Sequence, residues 1–143
     1  MQSWKIDPDI RKAKTLPPDF YRNQAVYEQL LETAFVPSWQ FVGHEGLVPE
    51  KGDCYPFELL SNSIEEPLLL VHGQDGALRC MSNVCTHRGK ILVEQPTKLR
   101  YISCGYHGRC FHLDGNFKSM PEFGETEDFP APTDNLTNLK LEK

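Results

Sequence analysis

Two short stretches decide how the chain is read: Cys85-Thr86-His87-Arg88-Gly89 and, with sixteen residues between His87 and Cys104, Cys104-Gly105-Tyr106-His107-Gly108. Each offers one thiolate and one imidazole, separated by one residue in the first stretch and by two in the second. Thiolates and imidazoles are the side chains that hold soft and borderline metals. A structural zinc ion is one occupant, since zinc also takes two Cys and two His. Its usual sites, however, pair Cys with Cys and His with His in separate knuckles, whereas here each knuckle mixes the two types. Chance association among five Cys and five His is a poor account of two such knuckles at this separation.

The mixed set matches the ligands of a Rieske [2Fe–2S] centre, in which two histidines replace two of the four thiolates on a single iron. In the arrangement expected from that ligand set, Cys85 and Cys104 hold one iron, His87 and His107 hold the other, and sulfides bridge them. The short spacings let each loop place its two ligands on different irons. Gly89, Gly105 and Gly108 suit such loops, because glycine permits close backbone approach or positive φ.

Around these motifs lie further signposts: Trp39-Gln40-Phe41-Val42-Gly43, Gly52-Asp53, Asp75-Gly76, Asn83-Val84-Cys85-Thr86-His87-Arg88-Gly89, Tyr106-His107-Gly108 and Leu113-Asp114-Gly115. In this order they resemble the Rieske domain of the alpha subunit of ring-hydroxylating oxygenases over Trp39 to Phe123. The resemblance implies an all-β fold, a Rieske-type antiparallel β-sandwich with a cluster-binding subdomain, preceded by a short N-terminal helical arm. It also implies a mononuclear Fe(II) in a catalytic domain beyond the present sequence. A departure stands at Arg109, where that family usually carries Trp, so a guanidinium adds charge near the cluster.

The respiratory Rieske branch shares the cluster but carries a disulfide between its two loops. The positions required are Lys90 and Tyr106 here, so that disulfide cannot form. Met1 to Ile10 is polar and charged, without the hydrophobic stretch of a signal peptide, and the aliphatic run Leu68 to Val71 is far too short for a membrane span. The expectation is a cytoplasmic protein. A chain of 143 residues, 39% hydrophobic and 24% charged, is long enough for one domain with a real core. Its net charge of −5 speaks against nucleic acid or anionic membrane as partner. Of the remaining cysteines, Cys54 and Cys80 lie in strand-like sequence and read as buried small hydrophobes. Cys110, just behind the second loop, reads as a packing residue.

Three segments are expected. Residues 1–38 form an arm in which Leu16-Pro17-Pro18-Asp19 is an extended approach to a helix. From Asn23 onward, Val26, Leu30 and Ala34 recur at helical spacing with Tyr27 and Leu31 beside them, until Pro37 ends the run. Residues 39–120 form the Rieske domain, with strands predicted at Gln40–His44, Tyr55–Leu60, Leu68–Val71, Leu78–Val84, Leu99–Ser103 and Cys110–Leu113. Turns fall at Gly73-Gln74-Asp75-Gly76 and Asp114-Gly115. Residues 121–143 form an acidic, proline-rich segment leading toward an absent catalytic domain, and a fragment of a longer chain is expected.

His107 and His112 have the spacing of a mononuclear iron site, but His107 is committed to the cluster and no carboxylate precedes it. His44 and His72 read as ordinary strand-end residues. The chain thus reads as a carrier of electrons with no catalytic residue for oxygen chemistry of its own. Arg88 is either a tuning charge or an exposed loop cation; Tyr106 either donates toward a ligand sulfur or fills the space behind the second loop. His112 and the acidic tail read as solvated surface. By resemblance, electrons arrive from a reductase or ferredoxin and leave to the oxygenase catalytic domain, and the full-length protein can be a homo-oligomer. The alternatives are a free-standing Rieske ferredoxin and, further off, a zinc-stabilised interaction module.

Overall fold

The computed structural model describes residues 4–124 and 126–143. It divides into two compact units, residues 1–41 and 42–143. In the first unit, α1 spans Pro18–Arg22 and α2 spans Gln24–Leu30. Pro18 opens α1, a position where its missing N–H costs nothing; of the expected extended approach, Pro17 is extended and the helix begins one residue later. Asn23 then breaks and restarts the helix: its side-chain oxygen accepts the backbone N–H groups of Ala25 (2.9 Å) and Val26 (3.4 Å), satisfying donors that a helix start leaves open. Beyond Leu30 the spiral widens over Leu31–Phe35, where Val36 N–H reaches the Leu31 carbonyl at 2.8 Å. Of the predicted apolar face, Val26 is buried.

All strand pairs of the second unit are antiparallel. Strands β1 (Asp53–Leu59), β2 (Glu66–His72) and β3 (Leu78–Ser82) form a meander, with β4 (Thr97–Lys98) added beside β1. A smaller sheet contains β5 (Ile102–Ser103), β6 (Cys110–Phe111) and β7 (Phe117–Ser119), in that order. The last strand, β8 (Asn138–Leu139), returns to the first sheet and pairs with β3, giving the order β4-β1-β2-β3-β8. Both expected turns are present: Gly73 N–H bonds the Ala77 carbonyl at 2.8 Å, and His112 N–H bonds that of Asn116 at 2.9 Å.

The unbroken run Leu68-Leu69-Leu70-Val71 explains the layering. Successive side chains of a strand point to opposite faces. Leu69 and Val71 therefore join Met81, Ile102, Phe111 and Leu113 in one core, while Leu68 and Leu70 join Val48 and Cys80 in another. Cys85 and Cys104 lie in the first of these. Cys54 and Cys80 are buried, and their thiols are pushed up to about 11 by burial.

Several boundaries differ from the sequence reading. Gln40–His44 is not a strand: Phe41 is 91% exposed and the chain turns at once into a 3₁₀ segment over Glu45–Leu47. Leu99–Ser103 is interrupted because the chain there passes from β4 in one sheet to β5 in the other. The segment after Pro121 belongs to the 42–143 unit. Leu136 is 2% exposed within the first core, and burial of this one apolar side chain fastens the stretch that β8 completes. Among the described residues, no helix is long and apolar enough to cross a membrane.

Candidate metal centre

The two Cys/His stretches form two loops of the same design. The first lies between the bridged residues Val84 and Ile91, the second between the paired residues Ser103 and Cys110. Cys85 N–H bonds the Lys90 carbonyl at 2.8 Å and Gly89 N–H bonds the Cys85 carbonyl at 3.0 Å. Cys104 N–H bonds the Arg109 carbonyl at 2.8 Å and Gly108 N–H bonds the Cys104 carbonyl at 3.1 Å. Each loop is therefore a six-residue excursion closed by the same two bonds.

Glycine serves both loops at the same place. Gly89 has φ 69° and Gly108 φ 73°, left-handed values that a Cβ disfavours. Gly105 is different: its φ is not left-handed, and a Cβ there would meet only Lys90 Cε at 3.8 Å. Within these matched loops the histidines are not equivalent, since His87 is the third residue of its loop and His107 the fourth of its own.

The loops bring their side chains together. The His87 and His107 rings meet edge to face with centroids 4.8 Å apart. Cys85 and Cys104 are 3% and 4% exposed. Burial raises the Cys85 thiol above its ordinary pKa; the N–H groups of His87 and Arg88 act against this, while the neighbouring Cys104 adds to it. The His87 imidazole is held below its ordinary value by burial first, then by the charges of His107, Arg109 and Arg88.

Two thiols and two imidazoles thus converge from two loops, and His107 Nδ1 is buried without a hydrogen-bond partner among the described residues. A buried ring nitrogen left unpaired carries a desolvation cost, which a metal bond removes. The donor set fits a [2Fe–2S] cluster with mixed ligation. Before metal binding, Cys thiols must lose their protons, and the N–H groups of His87 and Arg88 favour that loss at Cys85.

Around the four side chains, Tyr106 is 57% exposed and stacks on His107 at 3.7 Å between centroids. It covers the imidazole, with no hydrogen bond to a sulfur among the described residues. Arg88 is exposed. His112 lies against Tyr101 at 5.6 Å, and His72 Nδ1 meets the Val48 carbonyl at 2.9 Å; neither joins the two loops. Cys110, half-buried, receives the Ser103 hydroxyl at 3.4 Å.

Sequence reasoning missed three supporting residues. Asn83 exchanges two hydrogen bonds with the Val93 backbone, closing the first loop at its base. Thr86 and Asp134 both bond the Arg109 guanidinium. Asp134 lies in the acidic segment that the sequence reads as solvated surface, yet its partner Arg109 is 4% exposed. A charge replacing an indole in a core implies a carboxylate partner, and that was the signal available.

The family model of the Rieske [2Fe-2S] domain matches residues 38–130, and the chain belongs to this family. Its relatives are alpha or oxygenase subunits of Rieske oxygenases. The chain is 33% identical over 134 residues to the carnitine monooxygenase oxygenase subunit of Escherichia coli (strain K12), covering 93% of the chain and 35% of that protein. It is 35% identical over 118 residues to the biphenyl 2,3-dioxygenase subunit alpha of Rhodococcus jostii (strain RHA1), covering 81% and 24%. In structure it resembles the quaternary ammonium Rieske monooxygenase CntA in complex with L-carnitine, with a TM-score of 0.82, 31% identity, and coverage of 91% and 36%. The chain spans about a third of the length of the first of these relatives.

Proposed function

We propose that this chain carries single electrons through a Rieske [2Fe–2S] cluster held by Cys85, His87, Cys104 and His107. The observation that supports this most directly is the convergence of two buried thiols and two imidazoles from matched loops, with His107 Nδ1 buried and unpartnered. When bound, such a cluster accepts and releases one electron at a time. The chain's residues do the rest. The core around Cys85 and Cys104 keeps water from the sulfurs, the turns at Gly89 and Gly108 hold the loops closed, and Tyr106 shields one face of His107.

In the whole protein, electrons come from a reductase or ferredoxin and go to a mononuclear iron in an oxygenase catalytic domain, with the protein in the cytoplasm. The purified protein should be red-brown, contain two irons and two sulfides, and bleach with dithionite. Replacing Cys85, His87, Cys104 or His107 by Ala should each abolish the colour. A colourless protein with one zinc per chain would refute the reading in favour of a zinc-stabilised module.

A further inference from the structure

Arg109 belongs to the second loop and reaches the first. Its carbonyl accepts Cys104 N–H at 2.8 Å, closing the second loop. Its guanidinium donates to Thr86 Oγ1 at 2.8 Å, and Thr86 lies between Cys85 and His87 in the first. The same nitrogen donates to Asp134 Oδ1 at 3.0 Å, while the Thr86 hydroxyl donates to the Asp134 carbonyl at 2.8 Å. Asp134 is steadied in turn by Ala131 N–H, which donates to its second carboxylate oxygen at 2.8 Å. A closed ring of three residues results.

Thr86 is exposed, but the charged pair of the ring is largely shielded from water. The Arg109 and Asp134 side chains are 4% and 18% exposed, and the guanidinium carbon lies 5.4 Å from the Phe117 ring centroid and 5.6 Å from that of Phe129. Salt screens buried charges far less than exposed ones. Arg109 Nε, also buried, finds no acceptor among the described residues, so that edge of the cation is left uncompensated.

We propose that Arg109 is a positioning residue which, through its ring with Thr86 and Asp134, ties both cluster loops to the C-terminal segment and sets the cluster's reduction potential by the balance of the buried ion pair. The proposal rests on the cluster assignment above. Reduction adds one negative charge to the cluster. Removing the nearby carboxylate should ease it, and removing the guanidinium should oppose it. With little solvent screening, an uncompensated unit charge beside a ligand loop should alter the one-electron equilibrium at least threefold, which is about 28 mV at 59 mV per tenfold.

The test is voltammetry on the cluster-loaded protein and its variants in 0.1 M and 0.5 M salt. Asp134→Asn should raise the potential by that amount, Arg109→Gln should lower it, and the double variant should return close to the parent. Arg109→Lys, which keeps the charge, should stay within threefold of the parent. The shifts should persist at the higher salt. Asp134→Asn keeps the shape of the side chain, so it carries the test even where Arg109→Gln fails to fold. An unshifted potential in a cluster-loaded Asp134→Asn protein would overturn the proposal while leaving the cluster assignment intact. Shifts of the same sign in both single variants, or shifts abolished by 0.5 M salt, would also overturn it. Absence of the cluster from the parent protein would overturn both readings, and metal analysis distinguishes that case.

Discussion

Replacing Asn83 by Ala removes a side chain that acts as a short piece of strand. Asn83 is 2% exposed; its Nδ2 donates to the Val93 carbonyl at 2.7 Å, and its Oδ1 accepts Val93 N–H at 2.9 Å. Its own carbonyl accepts Leu92 N–H at 3.0 Å, so residues 84–92, carrying Cys85 and His87, are pinned at their base from both side chain and backbone. Alanine would leave the Val93 N–H and C=O unpaired at a residue only 5% exposed. At about 1–3 kcal/mol for each stranded buried group, the loss should be roughly 2–6 kcal/mol. For a chain near 150 residues, at about 2–4 °C per kcal/mol, that lowers the melting temperature by roughly 4–24 °C. Urea and thermal unfolding followed by far-UV circular dichroism measure the loss, and an unchanged dependence on urea would show that stability rather than compactness has changed. Hydrogen exchange at Cys85 N–H adds a local readout and should accelerate beyond what the global loss accounts for. Asn83→Asp keeps the acceptor for Val93 N–H but loses the donor, and turns a carboxylate oxygen toward the Val93 carbonyl, so it should not rescue. A cost below about 1 kcal/mol for the alanine variant, or full rescue by Asp, would refute the reasoning.

Cys54 and Cys80, buried and with thiols pushed up to about 11, should resist iodoacetamide at pH 8 in the folded protein and react after denaturation; rapid labelling of either in the folded state would show that the core around β2 opens. The Asp75 carboxyl is held below its ordinary value of 3.8, first by the Arg79 hydrogen bond and then by Ala77 N–H. Since its folded-state pKa is depressed, its contribution to stability is fully present above the unfolded value and is lost as pH falls through the folded one. Asp75→Asn should therefore lessen the fall in stability between pH 7 and acid conditions below about pH 4, and an identical fall in both proteins would contradict this.

The parts of the molecule legible in the sequence are those in which local chemistry carries the information. The two Cys/His loops are visible because metal binding demands particular side chains at short spacing, and the β2–β3 and β6–β7 turns because Gly and Asp tolerate backbone shapes that other residues resist. The run Leu68–Val71 reads as a strand, but only the presence of apolar layers on both sides explains why it does not alternate with polar residues. Strands β7 and β8, of three and two residues, are shorter than any periodicity can register. Their existence depends on what they pair with: Asn138 and Leu139 lie beside Met81 and Cys80, more than fifty residues earlier in the chain.

The same limit governs the supports of the site, and it shows where the site's properties are decided. Asn83 meets Val93 only once the first loop has closed, and Arg109 meets Asp134 only once the segment after Pro121 has folded back. Neither relation has a signature within a helical or strand window. Yet Arg109 was conspicuous as a charge where the resembling family carries an aromatic side chain, and a buried guanidinium requires a compensating partner. The fold supplies one by burying Leu136 two residues beyond Asp134. Packing of an apolar side chain thereby delivers the carboxylate to the guanidinium, and the guanidinium fastens Thr86 between Cys85 and His87. The reach from Leu136 to the metal loops is a chain of contacts in which each member is positioned by the one before it, so a substitution at Leu136 should register at the cluster even though Leu136 offers no metal ligand. Leu136→Ala, costing about 2–5 kcal/mol for a buried Leu, should disturb the Arg109–Asp134 pair as well as the fold. In variant protein that remains folded and cluster-loaded, the reduction potential should therefore differ from that of the parent; an identical potential would show that the segment's packing and the site are independent.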